Sequence, residues 1–117
     1  MEYIFLEYNK CSTCRKAKKF LKDKDINFIE RDLVKETPTK EEIINYINQS
    51  GIDFKRFFNT SGVIYREMKL KDRIKDMDIF QAAELLSSNG MLIKRPILIG
   101  NGSVIVGFKE EIYNEIN

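Results

Sequence analysis

Apolar residues fall in short bursts along the chain, and the spacing within each burst predicts an element. Tyr3-Ile4-Phe5-Leu6 is a continuous apolar run, so Tyr3 to Tyr8 reads as a central strand. Asn9-Lys10 makes a turn. Cys14, Ala17, Phe20 and Leu21 then recur three and four residues apart, predicting a helix from about Ser12 to Lys24 with one apolar face. Ile26 to Arg31 returns to strand-like spacing, and Ile29 breaks strict alternation, as a buried parallel strand does. These three stretches form a βαβ unit.

Thr37-Pro38-Thr39 interrupts the pattern. Thr39 with Glu42 fits a capping box, Ile43, Ile44 and Ile47 give the following helix its stripe, and Ser50-Gly51 ends it. Asp53 starts a short helix carrying Phe54, Phe57 and Phe58. Two more helices are predicted, roughly Met68 to Lys75 and Asp78 to Ser88, with Ile79, Ala82, Ala83 and Leu86 inward and Asn89-Gly90 as the stop. Ile97-Leu98-Ile99 and Val104-Ile105-Val106 flank Gly100-Asn101-Gly102 and predict an antiparallel hairpin, followed by a last helix from Lys109 to Ile116. The expected fold is α/β. A four-stranded mixed sheet carries flanking helices, with a helical insertion over roughly residues 38–90, all in one domain spanning 1–117.

At 117 residues the chain can bury a proper core. Its formal charge of +2 argues against direct nucleic-acid binding, which calls for a strongly basic balance. No stretch approaches the roughly 18 apolar residues of a membrane span, and no basic-then-apolar leader precedes the first strand. With only two cysteines, these features predict a cytoplasmic, reducing setting. The lysines of the first helix form a solvated face or a docking surface for an acidic partner.

Both cysteines lie in Lys10-Cys11-Ser12-Thr13-Cys14-Arg15-Lys16-Ala17, at the junction of strand and helix. Unpaired backbone N–H groups at a helix entrance favour thiolate over thiol, and Lys10, Arg15, Lys16 and Lys18 push the same way. Cys11 is expected at the entrance, where it attacks, and Cys14 one turn inside, where it resolves the mixed disulfide. Ser12 and Thr13, between them, would line the substrate groove. Two other readings compete with the redox pair. Buried cysteine can act as a small hydrophobe. A zinc site needs about four ligands, which a chain without histidine or a third cysteine could supply only by sharing the metal between subunits.

The order βαβ, helices, ββα resembles the thioredoxin-like architecture. In that architecture the proline before the hairpin is cis and lies opposite the Cys-x-x-Cys, which Pro96 would match; an ordinary trans proline opening a strand is the alternative. Arg95 is then the guanidinium expected beside the sulfurs, stabilising thiolate or holding an oxyanion. Its other role would be a surface salt bridge with Glu84 or Asp78. The polar loop Asn59-Thr60-Ser61-Gly62 is either part of an active-site rim, with Asn59 in the groove, or a plain connector.

Cys11-Ser12-Thr13-Cys14-Arg15-Lys16-Ala17, Phe57-Phe58-Asn59-Thr60-Ser61-Gly62, Leu85-Leu86 through Gly90 and Lys94-Arg95-Pro96-Ile97 together resemble the ArsC/Spx family over nearly the whole chain. The resemblance implies Cys11 as nucleophile and Arg95 as its arginine. It also implies no bound cofactor or metal, with thioredoxin, glutaredoxin or glutathione as electron donor and glutathione a candidate co-substrate. Arsenate reductases of this family clamp their oxyanion with three arginines; this chain has Asn59 at one of those places and Gly107 or Phe108 at another. They also support the cysteine with a histidine, which would fall near Tyr8-Asn9. Spx-type regulators use Cys-x-x-Cys as a redox switch and bind the C-terminal domain of the RNA polymerase α subunit, with a glycine at the contact near the place of Gly51. Their C-terminal tail is longer. The leading expectation is a thiol–disulfide oxidoreductase. A redox-sensing regulator that binds polymerase is the alternative, and glutathione-dependent arsenate reduction is third.

Overall fold

The computed structural model describes residues 2–116. Its sheet has the order β2-β1-β3-β4, built from β1 (Tyr3–Glu7), β2 (Phe28–Asp32), β3 (Ile97–Gly100) and β4 (Ser103–Val106). β1 runs parallel to β2 and antiparallel to β3, and β3 to β4 is antiparallel. The mixed sheet and its helices match the expected thioredoxin-like arrangement. Neighbouring residues of β1 point to opposite faces. Tyr3 and Phe5 join Ala17 and Leu21 of helix α1 (Ser12–Asp23) and Tyr113 of α6 (Glu110–Tyr113) in one core. Leu6 points the other way, into a larger core with α2 (Lys40–Ser50) and α5 (Ile79–Ser88).

Helix boundaries follow local chemistry. Thr39 accepts from the Glu42 backbone N–H while the Glu42 carboxylate accepts from the Thr39 N–H, the expected capping box at α2. Asp78 and Gln81 form a second one at α5. Gly51 ends α2 in the left-handed region, at φ 71°. The hairpin turns on Asn101 and Gly102, at φ 51° and 74°, so Gly100 belongs to β3 rather than to the turn.

Several expectations need correction. β2 begins at Phe28 and is an edge strand, paired among the described residues with β1 alone, and Ile29 is 52% exposed. The expected helix over Met68 to Lys75 is broken by Lys69, whose φ of 54° leaves α4 as Leu70–Arg73 and a 3-10 turn at Ile74–Asp76. A short helix, α3 (Val63–Glu67), precedes it without any side-chain cap that would mark its start. Gly90 opens a 3-10 turn with no left-handed twist. Glycine is required there because a Cβ would collide with the Leu33 carbonyl. α6 ends at Tyr113, short of the expected Ile116.

Candidate functional site

The end of β1 delivers the chain to the entrance of α1 through a tight turn, in which the Cys11 N–H donates to the Tyr8 carbonyl at 3.0 Å. Cys11 is the N-cap, in extended backbone, and its Sγ accepts from the Cys14 N–H at 3.3 Å. A sulfur thus occupies the place where Ser, Thr, Asp or Asn usually satisfies a free helix donor. No acidic residue lies in the first turn of α1 to compete for that positive field. Cys11 is half-buried, Cys14 is fully buried, and both are free thiols.

The two sulfurs are driven apart in acidity. Partial burial pushes the Cys11 thiol up, but the side chain and N–H of Cys14, with the charge of Arg95, outweigh it and hold Cys11 below the ordinary thiol range. Burial, then the neighbouring Cys11 sulfur and the charge of Glu7, push Cys14 up to about 12. The thiolate form is therefore favoured at Cys11 and disfavoured at Cys14.

The Arg95–Pro96 peptide is cis. The Arg95 guanidinium lies over the Tyr8 ring, 5.1 Å from its centroid. Its Nη1 is buried and without a hydrogen-bond partner among the described residues. Arg95 forms no salt bridge with Glu84 or Asp78: Asp78 caps α5, and Glu84 lies 3.8 Å from Lys40 Nζ. A cavity of about 380 Å³ opens beside Cys11, lined by Thr13, Asn59, Ile64, Met91, Lys94 and Arg95 among others. Two contacts bring the Asn59 loop to this rim. The Asn59 N–H donates to the Leu92 carbonyl at 2.7 Å, and Lys94 N–H donates to Phe57 carbonyl at 2.7 Å. Thr13, Asn59 and Arg95 thus share the cavity with Cys11. Ser12 is exposed and lines neither this cavity nor its neighbour, and Pro96 is buried beneath the rim.

The lysines behave differently from expectation. Lys18 turns away from Cys11 to sit 3.2 Å from Glu7 and 3.3 Å from Glu30, because it projects over the sheet rather than toward the helix entrance. Arg15 donates to the Asn9 carbonyl at 3.3 Å. Sequence reasoning missed Lys94, Met91 and Ile64 at the site. Lys94 was adjacent to Arg95-Pro96 and could have been inferred; the others come from elements whose proximity only the fold creates. Among the described residues, no group of three or more His, Cys, Asp or Glu side chains is placed to hold a metal, and no helix is long and apolar enough to cross a membrane.

The ArsC family model matches residues 6–116. The chain belongs to the ArsC family. The uncharacterized protein YusI of Bacillus subtilis (strain 168) is 45% identical over 115 residues, covering 98% of each chain. The regulatory protein MgsR of the same organism is 36% identical over 109 residues, covering 92% of this chain and 83% of MgsR. The crystal structure of an ArsC family related protein from Bacteroides fragilis superposes with a TM-score of 0.96 at 43% identity, covering 100% of this chain and 98% of that one. As an ArsC family member, the protein shares its architecture with the ArsC family related protein of known structure.

Proposed function

We propose that the protein is a thiol–disulfide oxidoreductase working in a reducing, cytoplasmic setting. Cys11 attacks a disulfide sulfur and forms a mixed disulfide; the first leaving thiolate takes a proton from solvent. Cys14 then loses its proton, attacks Cys11 Sγ, and forms the Cys11–Cys14 disulfide as the second thiolate leaves. Two electrons pass from the dithiol to the substrate, and an external thioredoxin, glutaredoxin or glutathione system restores the pair. Arg95 favours the Cys11 thiolate, while Thr13 and Asn59 line the groove. The observation that carries this reading is the geometry at one helix entrance: the half-buried Cys11 Sγ accepts from the Cys14 N–H, Cys14 is buried one turn inside, and Arg95 lines the same cavity as Cys11.

Trapping tests it directly. Cys14→Ser protein incubated with a small disulfide should accumulate a mixed disulfide at Cys11, read by mass. Wild-type protein should pass on to the internal disulfide. Labelling at Cys14 in a Cys11→Ser protein at the same rate would overturn the assignment.

A regulatory reading has its own support, the 36% identity to a protein named as regulatory. In it, formation of the Cys11–Cys14 disulfide alters a surface that binds the C-terminal domain of the RNA polymerase α subunit. Redox-dependent, stoichiometric capture of that domain, without turnover of small disulfides, would favour it. Arsenate as substrate has the weakest support, since Arg95 is the one arginine lining the cavity of Cys11.

A further inference from the structure

Glu7, at the end of β1, is the one charged residue that is buried among the described residues, with 5% of its surface exposed. Alternation along the strand gives Tyr3, Phe5 and Glu7 the same face, so a carboxylate stands where the core beneath α1 calls for an apolar side chain. Burying a carboxylate costs free energy that packing does not return. Helix α1 turns two residues toward it. Lys18 Nζ lies 3.2 Å from Glu7 and 3.3 Å from Glu30. Cys14, one helical turn before Lys18 and on the same face, is fully buried, and the charge of Glu7 reaches its sulfur. Glu7 also lines a cavity of about 230 Å³ with Asn9, Lys18, Glu30, Asp32 and Glu36. That cavity shares no lining residue with the one at Cys11.

Resolution of a mixed disulfide needs a proton acceptor, because Cys14 attacks only as thiolate and its buried thiol holds the proton tightly. The other groups around Cys14 and Glu7 are unsuited to that part. Tyr113 on α6 is buried with an unpartnered hydroxyl, and burial, then the charge at Cys14, push it up, so it stays a phenol. Asp32 is occupied, since its Oδ1 accepts from the Val34 and Lys35 N–H groups at 2.7 and 2.9 Å. Glu30 is exposed and held below the ordinary carboxylate range. Burial, then the neighbouring Glu30 carboxyl, raise Glu7 against the pull of Lys18, and a carboxylate of raised proton affinity is the better acceptor. We propose that Glu7 accepts the Cys14 proton across one water during the resolving step and hands it to solvent through the acid-lined cavity, away from the substrate. This rests on the oxidoreductase reading and gives the proton its route within it. The proton moves from Cys14 Sγ to a Glu7 carboxylate oxygen, and the freed electron pair on Cys14 forms the bond to Cys11 Sγ. The bond from Cys11 to the substrate sulfur breaks, and that sulfur leaves as thiolate. Lys18 keeps Glu30 as its partner while Glu7 is neutral.

The test follows the reaction of reduced protein with dipyridyl disulfide, which releases pyridine thione twice: once when Cys11 attacks and again when Cys14 resolves. At neutral pH, Glu7→Gln should slow the second release at least about tenfold and leave the first within about twofold. Glu7 accepts only as carboxylate, the form present above its raised pKa. The second release in wild type should therefore rise with pH through a midpoint above 4.5 and then level. In Glu7→Gln it should instead keep climbing toward the Cys14 value of about 12, and added imidazole should speed it while leaving wild type unchanged. Glu30→Gln, at an exposed position, should move the wild-type midpoint down, and it tests the same point where Glu7→Gln fails to fold. An unchanged second release in Glu7→Gln, equal slowing of both releases, or an unmoved midpoint in Glu30→Gln would overturn the proposal alone. A single release from wild type, with no second, would overturn both it and the oxidoreductase reading.

Discussion

The entrance of α1 is capped by a sulfur and has no acidic residue in its first turn. The entrance of α2 is capped by Thr39 and carries Glu41 and Glu42 there. Both helices present the same free N–H groups and the same positive end. At α2 those groups meet fixed partners: Thr39 and Glu42 satisfy each other, and Arg31 grips the Glu42 carboxylate at 2.8 and 2.9 Å, holding it down to about 2. That corner is locked and chemically inert. At α1 the ionisable partner is Cys11, so the same field acts on the proton affinity of a thiol. One helix start is closed by fixed partners, and the other by a group that can titrate.

The largest effect expected from breaking this contrast comes from Cys11→Ser. Serine keeps an oxygen cap, so thermal stability should change little, while turnover of a small disulfide should fall by at least about 1,000-fold. Retained turnover would show that the α1 entrance is not the reactive one. Next is Arg95→Ala, which should slow alkylation of Cys11 at neutral pH by about tenfold and move its pH profile upward. The sign follows from a lowered thiol: thiolate is present above the Cys11 pKa and is lost as pH falls through it. The wild-type midpoint should therefore lie below the ordinary value of about 8.5. An unmoved profile in Arg95→Ala would leave Cys14 and the helix entrance as the whole cause.

At the inert corner, Thr39→Ala should cost about 1 kcal/mol in denaturant unfolding and leave Cys11 alkylation untouched. Glu42 is depressed on folding, so its contribution is complete above its ordinary 4.5 and fades as pH falls toward about 2. Glu42→Gln should flatten stability across that window, measured by unfolding at several pH values. The smallest effect is expected from Ser12→Asp, which gives α1 an acidic first turn like that of α2. Alkylation at neutral pH should slow about two- to threefold. A faster reaction would mean that the helix field contributes nothing at Cys11.

Much of this contrast was legible in the chain. The three-residue spacing of Cys11 and Cys14 placed one at the entrance and the other on the face of Ala17 and Leu21, where Cys14 is indeed fully buried. Thr39 with Glu42, Gly51, and the hairpin around Asn101-Gly102 were readable because each depends on residues a few positions apart. Lys18 was read wrongly because its partners, Glu7 and Glu30, lie on two different strands. The exposure of Ile29 depended on β2 lying at the sheet edge, which no property of its own residues specifies. The left-handed Lys69 had no glycine or asparagine to announce it.

By itself, then, the sequence determined local matters: which stretches become helix or strand, where helices start, and which cysteine meets the free N–H groups. Tertiary structure decided the electrostatic surroundings of those sulfurs. It brought Arg95 and Asn59 to Cys11 from more than forty positions away, and gathered Arg56, Lys94 and Lys109 around a neighbouring cavity. The reason is physical. Hydrogen bonds at a helix end act between residues within one turn, whereas charge acts through space and depends on where distant segments are packed.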